Sequence, residues 1–325
     1  MKHISILVPR GDCSLTNIEG TLQILRRVNG YLQERGRKPL FSIQLVGQDN
    51  EIRMHGAHFT VSTDILIRDL QHTDLILIPS VHGDKKKILA ENEALLSWIV
   101  QQYKAGAAVA SLCIGAFLLA ATGLLDGKTC TTHWELAGEF RQLFPAVNLV
   151  EDKIITDEKN IYTSGGAYSW LNLILYLVEK YAGREIAIVC AKGFQIDIQR
   201  NSQSPFIIFN GQKTHDDTTV LNAQAYIEKN VHSRITVDGL ASLLTIGRRN
   251  LERRFKKATG NTLLEYIQRT KIEAVKKSLE SSRLGVAEAI DKVGYSDPKT
   301  FRTVFKKMTG LSPLQYRNRY NREYI

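Results

Sequence analysis

The sequence predicts a doubly wound, mostly parallel α/β domain followed by an all-α domain that contains two helix-turn-helix units. Three observations carry this. Over roughly the first 200 residues, short apolar runs alternate with helical segments, the pattern of a parallel sheet covered on both faces. In the last third, "FKKATGNTLLEYIQR" from Phe255 returns as "FKKMTGLSPLQYRNR" from Phe305, at a constant offset of 50 residues. The charge is also uneven. The formal total is +10, but from Asp216 onward 21 Lys and Arg face 12 Asp and Glu, whereas residues 1–215 hold 22 and 21.

Length and composition set the limits. A chain of 325 residues that is 43% hydrophobic suits two domains with substantial cores and excludes general disorder. The longest nearly apolar stretch, residues 116–125, is too short for a bilayer and is broken by Thr122 and Gly123. The opening "MKHISILVPRGD" lacks the apolar core and cleavage site of a signal peptide. These features lead us to expect a cytoplasmic protein without membrane contact. Cys13, Cys113, Cys130 and Cys190 show no CxxC spacing and read as free thiols. The eight histidines do not cluster at ligand spacing, no P-loop occurs, and no G-x-G-x-x-G follows a strand. Neither a metal nor a cofactor is expected.

In the first domain, "ISILV" (4–8), "FSIQLVG" (41–47), "DLILIP" (74–79), "AAVASL" (107–112) and "VNLV" (147–150) read as buried strands. Helices are expected near 16–34, 91–104, 114–122, 133–142 and 168–181. "EDKIITDEKNIYTSGGA" reads as an antiparallel hairpin around 157–160, and "GDKKK" (83–87) as a solvated loop. Ligands bind at the carboxyl ends of strands in such sheets. Cys113 lies there, after its strand and at the start of a helix that would favour a thiolate. The plainer alternative is a small buried hydrophobe.

In the second domain each copy reads as helix, tight turn, helix. Val237, Leu240, Ala241 and Leu244 form one apolar face, "TIG" (245–247) the turn, and Leu251, Phe255 and Ala258 the next face, which Gly260 ends. In the second copy, Val286, Ala289, Ile290 and Val293 are followed by "GYSDP". Ser296 or Asp297 would cap the helix that Pro298 begins, with Phe301, Val304, Phe305 and Met308 inside. The outer positions are cationic in both copies, which suits phosphates and guanine edges. Residues 199–217 form the expected linker, with the apolar knot 205–209 packed on the α/β domain and "NGQKTHDD" as a flexible hinge.

On "VDGLASLLTIGRRNLERRFKKATG", "IEAVKKSLE", "VAEAIDKVGYSDPKTFRTVFKKMTG" and "LSPLQYRNRY", residues 218–322 resemble the AraC/XylS regulators. The resemblance implies two recognition helices in successive major grooves, about one helical turn apart. It implies base contacts from Arg249, Glu252, Arg253, Lys299, Thr300 and Thr303, and phosphate contacts from Arg248, Arg302 and Lys306. Asp297 and Pro298 stand where side chains often read bases.

On "SLCIGAFLLAATGLLDGKTCTTHW", with "DLILIPSVHGD" and "YTSGGAYS", residues 3–195 resemble the ThiJ/PfpI superfamily, a flavodoxin-like, glutamine-amidotransferase-like fold. This implies that Cys113 is the elbow residue, that His133 is its usual partner, and that Gly83 and the Ile114 amide frame an anion-accepting corner. Asn17 falls where catalytic relatives place an acid, with Glu19 or Asp12 there if the register shifts. The implied site is a ligand pocket of Asn17, Gly83, Cys113, Ile114 and His133, with Cys113 and His133 as vestiges of catalysis.

The expectation is therefore a sensor domain (1–198), a linker (199–217) and a DNA-binding domain (218–325). Its partners would be double-stranded DNA, a small-molecule effector, a second copy and, for an activator, RNA polymerase. Some relatives respond to nitrogen-containing metabolites such as quaternary amines. The competing readings are a cysteine-dependent hydrolase or amidase, or a redox sensor, fused to the DNA-binding domain.

Overall fold

The computed structural model describes residues 1–295 and 297–321. The chain divides into two compact units, Met1–Gln203 and Ser204 onward.

The first unit opens with β1 (Lys2–Val8), buried from Ile4 onward because its apolar run sits mid-sheet. The short β2 (Asp12–Cys13) leads into α1 (Leu15–Glu34), and β3 (Phe41–Gly47) follows. A hairpin of β4 (Glu51–Met54) and β5 (Phe59–Ser62) precedes β6 (Ile65–Leu66) and β7 (Leu75–Ile78). Next come β8 (Val81–His82), α2 (Lys85–Glu91), α3 (Glu93–Lys104), β9 (Ala108–Ser111) and α4 (Ala116–Ala121). The unit continues through β10 (Thr129–Cys130), α5 (Ala137–Leu143), β11 (Asn148–Leu149), β12 (Ile155–Glu158) and β13 (Ile161–Ser164), and closes with α6 (Trp170–Ala182) and α7 (Arg184–Gly193).

Seven strands form one sheet in the order β12-β13-β9-β7-β1-β3-β6. All neighbours are parallel except the β12–β13 hairpin. The expected doubly wound α/β class is the observed one. Two local expectations differ. Residues 147–150 do not join the sheet, because β13 takes the place beside β9 and β11 pairs only with β10. The helix expected near 91–104 is α3, which begins after the fully buried Asn92, whose side chain donates to the Ile88 and Arg10 carbonyls. "GDKKK" is not a loop: Asp84 caps α2 by accepting from Lys87 N, and Lys85 turns inward to 9% exposure.

The second unit contains α8 (Thr218–Lys229), α9 (Val237–Leu243), α10 (Arg248–Thr259), α11 (Leu263–Ser281), α12 (Val286–Asp291), α13 (Pro298–Thr309) and α14 (Pro313–Tyr320). The duplication is structural as well as textual. One core gathers Leu240, Leu251, Phe255 and Tyr266, and the other gathers Ile290, Phe301, Phe305 and Tyr316. Helix α11 supplies Ile267 to the first and Val275 to the second. Phe255 meets Tyr266 edge-on at 5.1 Å, and Phe305 meets Tyr316 in the same way at 5.6 Å. Gly260 and Gly310 end their helices at φ 70° and 73°, a conformation glycine adopts without strain. Thr262 with Glu265, and Ser312 with Gln315, form capping boxes that start the following helices. Asp297 caps α13 through Lys299 N; the alternative cap, Ser296, lies outside the described residues.

The linker reading needs correction. The knot 205–209 belongs to the helical unit: Tyr320 donates to the Pro205 carbonyl at 3.1 Å, Lys276 donates to the Ile207 carbonyl at 2.6 Å, and Phe209 packs on Tyr266 at 5.0 Å. Residues 210–217 are tied down too. Lys213 pairs with Glu228 at 2.7 Å, and Asp217 both caps α8 and accepts two bonds from Arg254. Composition marked this stretch as polar but could not show that the helices offer partners for its polar groups.

Candidate functional site

Two places in the fold gather the residues singled out from sequence. The first is the corner after β9. Cys113 adopts φ 54°, rare for a residue with a side chain, at the sharp turn from strand into α4. The turn is held from several sides. Ser164 Oγ accepts the Cys113 N–H at 2.9 Å, Thr132 Oγ1 donates to the Cys113 carbonyl at 3.0 Å, and Ser80 Oγ donates to the Leu112 carbonyl at 3.0 Å. Gly115 is required there, since a Cβ would lie 2.5 Å from the Ile78 carbonyl oxygen and 2.7 Å from that of Pro79.

Burial pushes the Cys113 thiol up, outweighing the Ser80 hydroxyl, the Ala167 and Ile114 amides and the Lys85 ammonium, all of which favour the thiolate. The side chain is only 7% exposed. His133 is half-buried; its Nδ1 accepts from Glu135 N at 3.2 Å, capping the turn at Trp134–Leu136, and its ring packs against Gly166, where a Cβ would lie 2.6 Å from Cδ2. Burial lowers its pKa. No hydrogen bond joins His133 to Cys113 among the described residues. Asn17 is buried and accepts Ser80 N at 3.0 Å, so it supports the loop beside the cysteine. Glu19 and Asp12, the alternatives for an acid, are exposed, and the Asp12 carboxylate accepts His55 N.

Gly83 is exposed at φ 118°, while Ile114 is buried behind Cys113. Sequence reasoning missed Lys85. Its ammonium donates to the Val81 and Gly83 carbonyls at 3.4 and 3.3 Å and lies 5.3 Å from the Phe117 ring. Burial pulls its pKa down, while Glu139 and Cys113 favour the charged form. The capping Asp84 and the inward i, i+3 pair of Lys85 and Ile88 were the signal available for it.

The second place is the outer surface of α10 and α13. Arg249, Arg253, Lys299, Thr300, Arg302, Thr303 and Lys306 are exposed there, and Arg248 stands beside them. Several have intramolecular partners. Arg248 bonds Asp238 at 3.0 Å and Glu252 at 3.3 Å, so Arg248 and Glu252 hold each other on one face. Arg253 donates to Asn250 Oδ1 at 3.1 Å. Thr300 donates to the capping Asp297, and Thr303 donates back to the Lys299 carbonyl at 3.1 Å. Arg254, one position further round, is spent on Asp217 at 2.7 Å.

The comparisons with known proteins agree with this division. Residues 31–180 match the DJ-1/PfpI family, and residues 240–319 match a helix-turn-helix domain. The chain thus combines an N-terminal DJ-1/PfpI domain with a C-terminal helix-turn-helix domain of AraC type. It is similar to the HTH-type transcriptional regulator GbdR of Pseudomonas aeruginosa, 23% identical over 241 residues, 74% of this chain and 65% of that regulator's length. In structure it resembles an AraC family transcriptional regulator from Pseudomonas putida, with a TM-score of 0.51 at 16% identity, covering 60% of this chain and all of that one. It also resembles Drosophila melanogaster DJ-1beta, with a TM-score of 0.50 at 19% identity, covering 60% of this chain and 98% of the other. At these identities the two structures speak for the fold alone.

Proposed function

We propose that this chain is a sequence-specific DNA-binding transcriptional regulator controlled by a small metabolite held in its α/β unit. The observation that carries the reading is the duplicated helix-turn-helix. Two equivalent helices, α10 and α13, start after equivalent turns and end on equivalent glycines, and each turns cationic side chains to solvent. Arg249, Arg253 and Lys299 are the base-contact candidates with the fewest intramolecular ties. Arg302 and Lys306 suit phosphates, as does Arg248 after exchanging its carboxylate partners. Glu252, Thr300 and Thr303 read bases only after giving up their present bonds.

The effector site is the Cys113 corner, with Asn17, Gly83, Ile114 and His133 around it and Lys85 as its buried cation. That cation and the Ile114 amide favour a metabolite bearing an anionic group. The corner supports binding rather than catalysis. Its thiol is held protonated by burial, the His133 Nδ1 is engaged in a cap, and Asn17, where the resemblance expects an acid, accepts the Ser80 N–H. The same raised thiol pKa gives the hydrolase and redox-sensor readings no support. Activation, contact with RNA polymerase, dimerisation and a cytoplasmic location complete the proposal. Among the described residues no helix is long and apolar enough to cross a membrane.

The test is selection of duplexes from a random pool by the full chain. The reading expects an enriched sequence with two half-sites about one helical turn apart, bound less tightly as salt rises. Recovery of unenriched DNA, or affinity indifferent to salt, would overturn it.

A further inference from the structure

Helix α11 carries a buried cation that the reading above does not use. Lys271 is 4% exposed. Its ammonium donates to the Val231 carbonyl at 3.1 Å, to the Ser233 carbonyl at 2.8 Å and to the Val293 carbonyl. An ammonium has three protons, and here each has an acceptor. Two acceptors lie in the loop between α8 and α9, in the first helix-turn-helix module. The third lies in the turn of the second module that leads to α13.

The duplication shows what is special about this position. Fifty residues on, the counterpart of Lys271 is Asn321. Its amide donates to the Leu279 and Ser282 carbonyls at 2.8 and 3.1 Å, at the end of α11 and in the loop before α12. Each module therefore has a donor at the equivalent position, Lys271 midway along α11 and Asn321 just after α14, tied to the loop before its first helix. A short asparagine side chain performs that task in the second module. The longer lysine of the first module performs it and reaches one carbonyl of the neighbouring module as well.

Other contacts converge on the same seam. His232 Nδ1 lies 2.8 Å from the Lys292 carbonyl. Gly294, at φ 62°, lets the two loops meet, since a Cβ there would lie 2.7 Å from the His232 carbonyl oxygen.

We propose that Lys271 is a positioning residue that fixes the second recognition helix relative to the first module, and so sets the half-site spacing the chain accepts. This rests on the DNA-binding reading. A rigid seam makes the two modules bind as one body, so a change in spacing misplaces one of them. A loosened seam lets each module find its own groove, at an entropic cost to the parent site.

The test uses the full chain and duplexes it selects from a random pool, with and without one or two base pairs inserted between the half-sites. Lys271→Asn copies the counterpart's side chain and removes the reach to the Val293 carbonyl of the second module. His232→Ala, at an exposed residue, weakens the same seam without touching a buried group. The parent chain is expected to lose at least about tenfold in affinity on insertion, the value of one charge-assisted contact set. Lys271→Asn is expected to bind the uninserted duplex more weakly and to lose less than about threefold on insertion. His232→Ala is expected to shift the same way, to a smaller extent. Thermal unfolding identifies the variants that melt like the parent, and if Lys271→Asn does not fold, His232→Ala decides. A folded variant that keeps the parent's full spacing penalty overturns the proposal and leaves DNA binding standing. Failure of the parent chain to select any duplex overturns both.

Discussion

Arg253 and Asp217 give a direct way to separate the face that would read DNA from the face that holds the fold. Arg253 is exposed, and its side-chain hydrogen bond to Asn250 Oδ1 at 3.1 Å is one that water can replace. Arg253→Ala should therefore change stability by less than about 0.5 kcal/mol. If its guanidinium reads a base, the variant should lose roughly 1–3 kcal/mol of operator affinity, a factor of roughly 5 to 150. Asp217 is the opposite case. It caps α8 by accepting Val220 N at 3.1 Å and takes two bonds from Arg254 at 2.9 and 2.7 Å. Losing a cap costs about 1 kcal/mol, which for a helical unit of this size lowers the melting midpoint by about 4 °C. Asp217→Ala should show that loss while the folded fraction binds DNA as the parent does. Thermal unfolding and fluorescence anisotropy on the selected duplex measure the two quantities on the same samples. The reasoning fails if Arg253→Ala binds like the parent, or if Asp217→Ala loses affinity with no loss of stability.

Three further outcomes follow from the corner around Cys113. Iodoacetamide should alkylate Cys113 more slowly than a free thiol at pH 8, because burial holds the thiol protonated and 7% exposed; faster labelling, read by mass spectrometry, would contradict this. Gly115→Ala forces a Cβ to within 2.7 Å of two backbone oxygens that cannot rotate away. It should lower stability by about 1–3 kcal/mol, measured by denaturant unfolding, and an unchanged midpoint would refute the cramped turn. Burial lowers the pKa of His133 in the folded state, so between that value and the unfolded one of about 6.5 the unfolded chain binds more protons. Its contribution is favourable above that window and is lost as pH falls through it, so His133→Gln should flatten the acid side of the stability profile.

Much of this was legible in the residues because it follows from local rules. The apolar runs at 4–8, 74–79 and 107–112 read as strands because a parallel sheet buries both faces of its central members. The offset of 50 residues placed Phe255 and Phe305, Gly260 and Gly310, in matching positions, and the structure repeats their packing and caps. What escaped depended on partners distant in sequence. "VNLV" has a strand's composition, but whether it joins the sheet depends on β13, which occupies the place beside β9. Lys85 sits in a charged run that reads as surface, and only the packing of α2 turns it towards Phe117. Lys271 and Lys276 look like solvated positions of a long helix until the loop and strap carbonyls that receive them are known. Arg248 and Arg254 are alike in sequence, and their ion pairs with Asp238 and Asp217 separate them from Arg249 and Arg253.

Hydroxyl-radical footprinting of the full chain on a selected duplex tests the central claim most directly. Two protected patches on one face of the DNA, about one helical turn apart, with Arg249→Ala weakening one patch and Lys299→Ala the other, are the predicted result. A single patch, or two that both survive these substitutions, would contradict an account in which α10 and α13 enter successive major grooves together.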